Sequence, residues 1–166
     1  MALHLSSDLY SIASVICEVV SLLERSDLPA TRNWCDSVFT HTCRQVECFI
    51  DPEVSVAAAE LASQRGYDLS NQRWGFQDYN LVEGERKKLF HWEHVLPVAE
   101  LKRRISKLGN GRNAHLVSEL LVMSDIAWVL KTENDELDTA GFRHRRPGDP
   151  WEAYRKVGIR IVGKPW

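Results

Sequence analysis

Ten residues concentrate the reactive chemistry of this chain: Lys88-Leu89-Phe90-His91-Trp92-Glu93-His94-Val95-Leu96-Pro97. A carboxylate, Glu93, stands directly before an imidazole, His94, and a proline follows three residues later. A carboxylate holds a hard cation through oxygen, and an adjacent imidazole can take a proton from a water. Neighbours in an extended strand point to opposite faces. Both groups therefore serve one site only if the chain bends there. Pro97 restricts φ and disfavours helix in the residue before it, which predicts a bend just after the pair. The result is one cation ligand and one base, with at least one more ligand owed by another part of the chain. The same residues allow other readings. His94 can be a satisfied core histidine with Glu93 a surface acid beside it. His91 and His94, three apart, can be zinc ligands, although His91-Trp92-Glu93-His94 is one residue short of the His-x-x-Glu-His pattern.

The elements around the pair are readable. Pro97 opens a helix running through Leu108, with Val98, Leu101, Ile105 and Leu108 on one side and Lys102, Arg103, Arg104 and Lys107 mainly on the other. Gly109-Asn110-Gly111 closes it, and a helix over 113–123 follows. Ile126-Ala127-Trp128-Val129-Leu130 is short, apolar and rich in β-formers, which predicts a strand. Thr132 then caps a helix, with Asp135 as its capping acid and Asn134 in the first turn. Phe142-Arg143-His144-Arg145-Arg146-Pro147 is the densest cationic run. Asp149, Pro150 and Glu152 start another helix, which ends at Gly158, and 159–162 reads as a last strand.

Strand with acid–histidine pair, second strand, helix with Asn134, then a basic run: this order resembles the HNH, or His-Me finger, nucleases. It is most similar to the endonuclease VII-like variant, in which an acidic-His pair is completed by a helical asparagine. The resemblance covers roughly residues 88–146 and implies a ββα-metal finger with a helical insertion between its two strands. Carried over residue by residue, it implies that Glu93 and Asn134 are metal ligands and that His94 is the general base. It also implies Mg²⁺ (or Mn²⁺) as cofactor and hydrolysis of phosphodiester bonds in DNA, with RNA as the other substrate class. Arg143, His144, Arg145 and Arg146, with Lys102 and Arg103, are the expected nucleic-acid contacts. Phosphodiester hydrolysis needs a base for the attacking water and a cation for the charge that develops on phosphate. Two protein ligands leave positions open for water and phosphate, as Mg²⁺ prefers. The chain departs from the family in three ways. Glu93 stands where aspartate or histidine is commoner. The interval from His94 to Asn134 is long. The family's middle asparagine has no clear counterpart, its place falling to Ser124 or Asp125, with Asn110 and Asn113 as alternatives. No cysteine pairs flank the motif, so the zinc-braced subtype is not expected.

The front half carries no catalytic grouping. Apolar residues at Leu9, Ile12, Ala13, Ile16, Val19, Val20 and Leu23 predict a helix over 8–25 capped by Ser7 or Asp8. A second helix is expected over 31–49 with Trp34, Val38, Cys43, Val46 and Phe49 or Ile50 inward, and a third over 54–63, capped by Asp51 with Pro52 in its first turn. The aromatics Tyr67, Trp74, Phe76 and Tyr79 sit in an irregular stretch and are expected to pin it to the core rather than stack on bases. The predicted fold class is α+β and mainly helical. A helical scaffold over 1–82 and a nuclease region over 83–166 form one compact domain.

Charge supports that division. Residues 1–82 hold five basic and eleven acidic side chains, and residues 83–166 hold sixteen basic and twelve acidic. A basic back half in a chain of net charge −2 is what a polyanion-facing surface requires. A non-catalytic nucleic-acid-binding or interaction protein would use the same surface and is the alternative function. Cys17, Cys35, Cys43 and Cys48 form no Cys-x-x-Cys pair. Free thiols and a reducing, cytoplasmic setting are expected. Residues 9–23 are too short and too polar to span a membrane, and no basic leader precedes them. A homodimer would allow double-strand cuts.

Overall fold

The computed structural model describes residues 2–78 and 88–165, with side chains from residue 7 to 76 and from 88 onward. The fold is α+β and mostly helical. Its helices are α1 (Ala2–Arg25), α2 (Pro29–Gln45), α3 (Val56–Gln64), α4 (Val98–Lys107), α5 (Ala114–Val122), α6 (Lys131–Thr139) and α7 (Trp151–Lys156). Among the described residues three short strands accompany them: β1 (Glu53–Val54), β2 (Phe90–His94) and β3 (Ile126–Leu130). The chain forms two compact units that are not its consecutive halves. One is Met1–Ile50 with Leu96–Ser124, and the other is Asp51–Val95 with Asp125–Trp166. The expected division at 82/83 lies outside the described residues, and the helices between β2 and β3 join the N-terminal helices instead of the sheet.

In the first unit α1 packs on α2 and α5, and α2 on α4. Leu9, Ala13, Ile16 and Val20 of α1 meet Phe39, Cys43, Leu101, Ile105, Val117 and Leu121 in one core. α1 starts before the expected caps, so Ser7 and Asp8 lie inside it. Ala2, Leu3 and Leu5 are good helix formers, and nothing ahead of Ser7 breaks the pattern. In α2 the inward row is Cys35, Phe39 and Cys43, four apart, whereas Trp34 is 58% exposed. Cys43 and Val46 are buried as expected, but at the start of the helix Cys35 and Phe39 take the inward positions expected of Trp34 and Val38, one residue or about 100° around the axis away. Buried Glu100 of α4 accepts from Arg103 and Arg104. Lys102 donates to Asp36 and Thr40, both at 2.7 Å.

In the second unit the sheet order is β1-β3-β2. β1 is parallel to β3, and β2 is antiparallel to it, with His91 opposite Val129, Glu93 opposite Ala127 and His94 opposite Ile126. Opposed residues share a face. One face carries Ala127 and Val129 and is covered by Leu137, Tyr154, Ile159 and Ile161. The other carries Phe90, Trp92, Ile126 and Trp128 beneath Ala58, Ala62 and Phe76. Phe76 packs on Tyr67, Phe90 and Trp128 as a pinning residue should. Trp74 is 54% exposed, and Tyr79 lies outside the described residues.

Two local expectations change. The third helix begins at Val56, not Val54, because Ser55 caps it by accepting from the Ala58 N–H. That frees Glu53 and Val54 to pair with the open edge of β3, a position a β-branched valine suits. The last strand expected over 159–162 is reduced to a bridge between Ser55 and Ile161. At α6 the helix starts one residue before Thr132. Glu133, not Asp135, folds back to the Leu130 N–H at 2.8 Å and also accepts from the Ser55 hydroxyl at 2.6 Å. Asp149 accepts from the Trp151 N–H at the start of α7, as its capping role predicts.

Candidate metal and nucleic-acid site

The cross-strand register places Glu93 on the face covered by α6 and α7, because its partner Ala127 lies in that cluster. His91, two residues earlier, shares the face. His94 is opposite Ile126, which belongs to the other cluster, so its ring leaves the opposite face. The strand runs through both members of the pair, and the bend comes at Val95 and Leu96. The acid and the imidazole therefore straddle the sheet and do not share a bend. Backbone pairing accounts for this: the Val95 N–H donates to the Asp125 carbonyl at 2.8 Å, which keeps the ladder extended past His94.

Both Glu93 oxygens are engaged. Oε1 accepts from Arg146 Nη2 at 2.5 Å, and Oε2 lies 3.2 Å from His91 Nε2. Burial alone would raise the Glu93 carboxyl, but the His91 hydrogen bond and the Arg146 charge outweigh it and hold it below the ordinary glutamate range. Arg146 is the buried hub. It is 1% exposed and donates to the carbonyls of Phe142 at 3.1 Å, His94 at 3.1 Å and Val95 at 2.7 Å. Its guanidinium stands 5.3 Å from the Tyr154 ring centroid. The Tyr154 hydroxyl beside it is buried and has no hydrogen-bond partner among the described residues. Burial first, then the Glu93 charge, push that phenol above its ordinary pKa.

Asn134 lies in the first turn of α6 and is 7% exposed. Among the described residues the Tyr154 hydroxyl, and not the Asn134 carboxamide, is the buried side-chain group without a hydrogen bond. Leu137, three residues on and so on the same side of the helix, packs into the Ala127–Val129 cluster. Asn134 thus lies over the sheet face that carries His91 and Glu93. This tests whether the residues fit a divalent cation. A carboxylate oxygen that keeps spare lone pairs and a carboxamide oxygen are the hard oxygen donors such an ion takes, and that part fits. Among the described residues no three His, Cys, Asp or Glu side chains form a metal-binding group. The protein would thus offer few ligands.

The basic residues divide. Arg143, His144 and Arg145 are exposed. Arg146 is not a surface contact: the cation expected to meet phosphate is spent on Glu93 and three carbonyls. Lys102 and Arg103 belong to the other unit and are paired there with Asp36 and Glu100. Of the candidates for the middle asparagine, Asn113 caps α5 and Ser124 donates to the Leu120 carbonyl. Asp125 accepts from the Trp151 indole at 3.0 Å, and its carboxyl is raised mainly by burial. Tyr154 was not legible as a site residue, and Arg146 was legible only as a phosphate contact, because an arginine inside a basic run reads as solvated. No protein-family model, curated protein or solved structure matches this chain.

Proposed function

We propose that this chain is a divalent-metal-dependent nuclease that hydrolyses phosphodiester bonds in DNA through a ββα-metal finger made of β2, β3 and α6. The observation that carries the reading is Asn134. An antiparallel strand pair leads directly into a helix whose first turn holds Asn134, 7% exposed, over the strand face that bears Glu93.

Glu93 and Asn134 would hold the cation, which when bound supplies Lewis-acid stabilisation of phosphate charge. The protein's own contributions are separable. Arg146 fixes the Glu93 carboxylate from one side and, by gripping the carbonyls of His94 and Val95, sets the end of β2. His94 is the base that takes the proton of the attacking water. β2 is an outer strand of the described sheet, where a phosphodiester can meet groups from both faces. Exposed Arg143 and Arg145 neutralise backbone phosphates.

The test is incubation of the purified chain with supercoiled plasmid and Mg²⁺ or Mn²⁺, with and without EDTA, beside His94→Ala. Metal-dependent nicking that His94→Ala loses, with binding retained, is the expected result. Equal loss of binding and cleavage removes His94 as the base. A second reading, non-catalytic nucleic-acid binding, is favoured by the double engagement of the Glu93 oxygens. It predicts a salt-sensitive gel shift without cleavage.

A further inference from the structure

The geometry points to His91 as a third ligand of the proposed cation, so that His91, Glu93 and Asn134 form a mixed nitrogen–oxygen site that prefers a first-row transition ion such as Mn²⁺ to Mg²⁺. The inference rests on the reading of Glu93 and Asn134 given above and adds the residue that decides which metal binds.

Three observations converge. The first is a distance. His91 Nε2 and Glu93 Oε2 are 3.2 Å apart. Two ligands on adjacent corners of an octahedron with bonds of about 2.1 Å lie about 3.0 Å apart, so these atoms span one edge with little movement. The second is the division of labour on the carboxylate. Arg146 takes Oε1, which leaves Oε2 turned toward His91. The third is the path of α6. The helix leaves β3 at Leu130, and Leu137 packs among Ala127 and Val129, so its first turn passes over the Val129 end of the strand pair. His91 is the register partner of Val129. Asn134, 7% exposed, is carried by that turn. The His91 side chain is 30% exposed, so the edge it forms with Glu93 is open to an entering ion.

The ligand set then sets the preference. Mg²⁺ favours oxygen and water, whereas imidazole draws first-row transition ions. Arg146 adds a fixed positive charge beside the site. Binding to the free chain is therefore weak, and it tightens when a phosphodiester supplies the opposing charge.

The experiment is Mn²⁺ binding to the full chain without nucleic acid, followed by loss of the free-ion electron paramagnetic resonance signal, with spin-echo modulation to detect an imidazole nitrogen on the bound ion. The expected result is one Mn²⁺ per chain with imidazole modulation. His91→Ala should abolish the modulation and His115→Ala, on an exposed histidine of α5, should keep it. His91→Ala and Asn134→Ala should each weaken binding roughly tenfold or more. Absence of nitrogen modulation in the wild-type chain overturns the proposal without any variant, and so does binding indifferent to His91→Ala. The readout is independent of cleavage. An imidazole-ligated ion in a chain that leaves plasmid intact upholds this site and removes the nuclease reading. Cleavage with Mn²⁺ bound through oxygen alone does the reverse.

Discussion

Arg146 and Glu93, 53 positions apart in sequence, meet at 2.5 Å with the arginine side chain 1% exposed and the glutamate 13% exposed. A pair this deep is expensive to form, since both charges leave water, and Arg146 recovers the cost through three backbone carbonyls. The contact ties the segment after α6 to the end of β2. It also converts a residue that the basic run offers to solvent into an internal brace.

Arg146→Ala should therefore destabilise the fold by about 3–5 kcal/mol, because Glu93 is left buried without its countercharge and three carbonyls lose a donor. Arg145→Ala, one residue earlier and exposed, should stay within about 0.5 kcal/mol of the wild type. Urea unfolding of the two variants checks this. Equal midpoints would mean that the pair does not brace the fold.

The Glu93 carboxyl is held below its ordinary range, and the sign of the pH effect follows. Its contribution to stability is present above the unfolded value of about 4.3 and is lost as pH falls through the lower folded value. Glu93→Gln removes the charge at every pH. The stability gap between wild type and Glu93→Gln should be widest near neutrality and close as the solution is acidified below about pH 4. Thermal melts of both proteins across that range would show it, and a gap independent of pH would contradict the assignment.

Nucleic-acid binding should respond to the exposed arginines and not to the paired cations of α4. Arg143→Ala and Arg145→Ala should each lower the slope of log affinity against log salt by about 0.9. Lys102→Ala should leave the slope unchanged and cost stability instead, since Lys102 is held by Asp36 and Thr40. Fluorescence anisotropy at several salt concentrations separates the two outcomes. A slope lowered by Lys102→Ala would place that helix at the interface.

Thiol reactivity should rank by burial. All four cysteines are free; Cys48 is exposed, and Cys35 and Cys43 are buried. Burial pushes the Cys43 thiol up to about 12, so almost none is thiolate at neutral pH. Cys48 should react first with a disulfide reagent, and Cys35 and Cys43 only after denaturant is added. Fast labelling of Cys43 in the native protein would show that the helical core of the first unit opens readily.

Period and punctuation made most elements legible. The apolar rows of α1 and α4, the strand Ile126–Leu130, the capping Asn113 and Asp149, and the helical insertion between the two strands are all where local rules put them. Local rules failed where a distant partner decided. Glu53 and Val54 read as helix but pair with β3, because an open sheet edge outweighs a weak helix start. Trp34 points outward because the core takes the row of Cys35, Phe39 and Cys43. The split at 82/83 followed charge, while the compact units follow packing, which returns the insertion to the N-terminal helices.

For the candidate site, the chain alone determined which residue types could do chemistry and the order strand, strand, helix that carries them. Tertiary structure decided who faces whom. Strand alternation sends Glu93 and His94 to opposite faces and sets His91 beside Glu93. The return of the chain after α6 buries Arg146 on the carboxylate. Neither is readable from neighbours in sequence, because side-chain direction depends on register, and a cation's fate depends on whether an acid awaits it once water has been excluded.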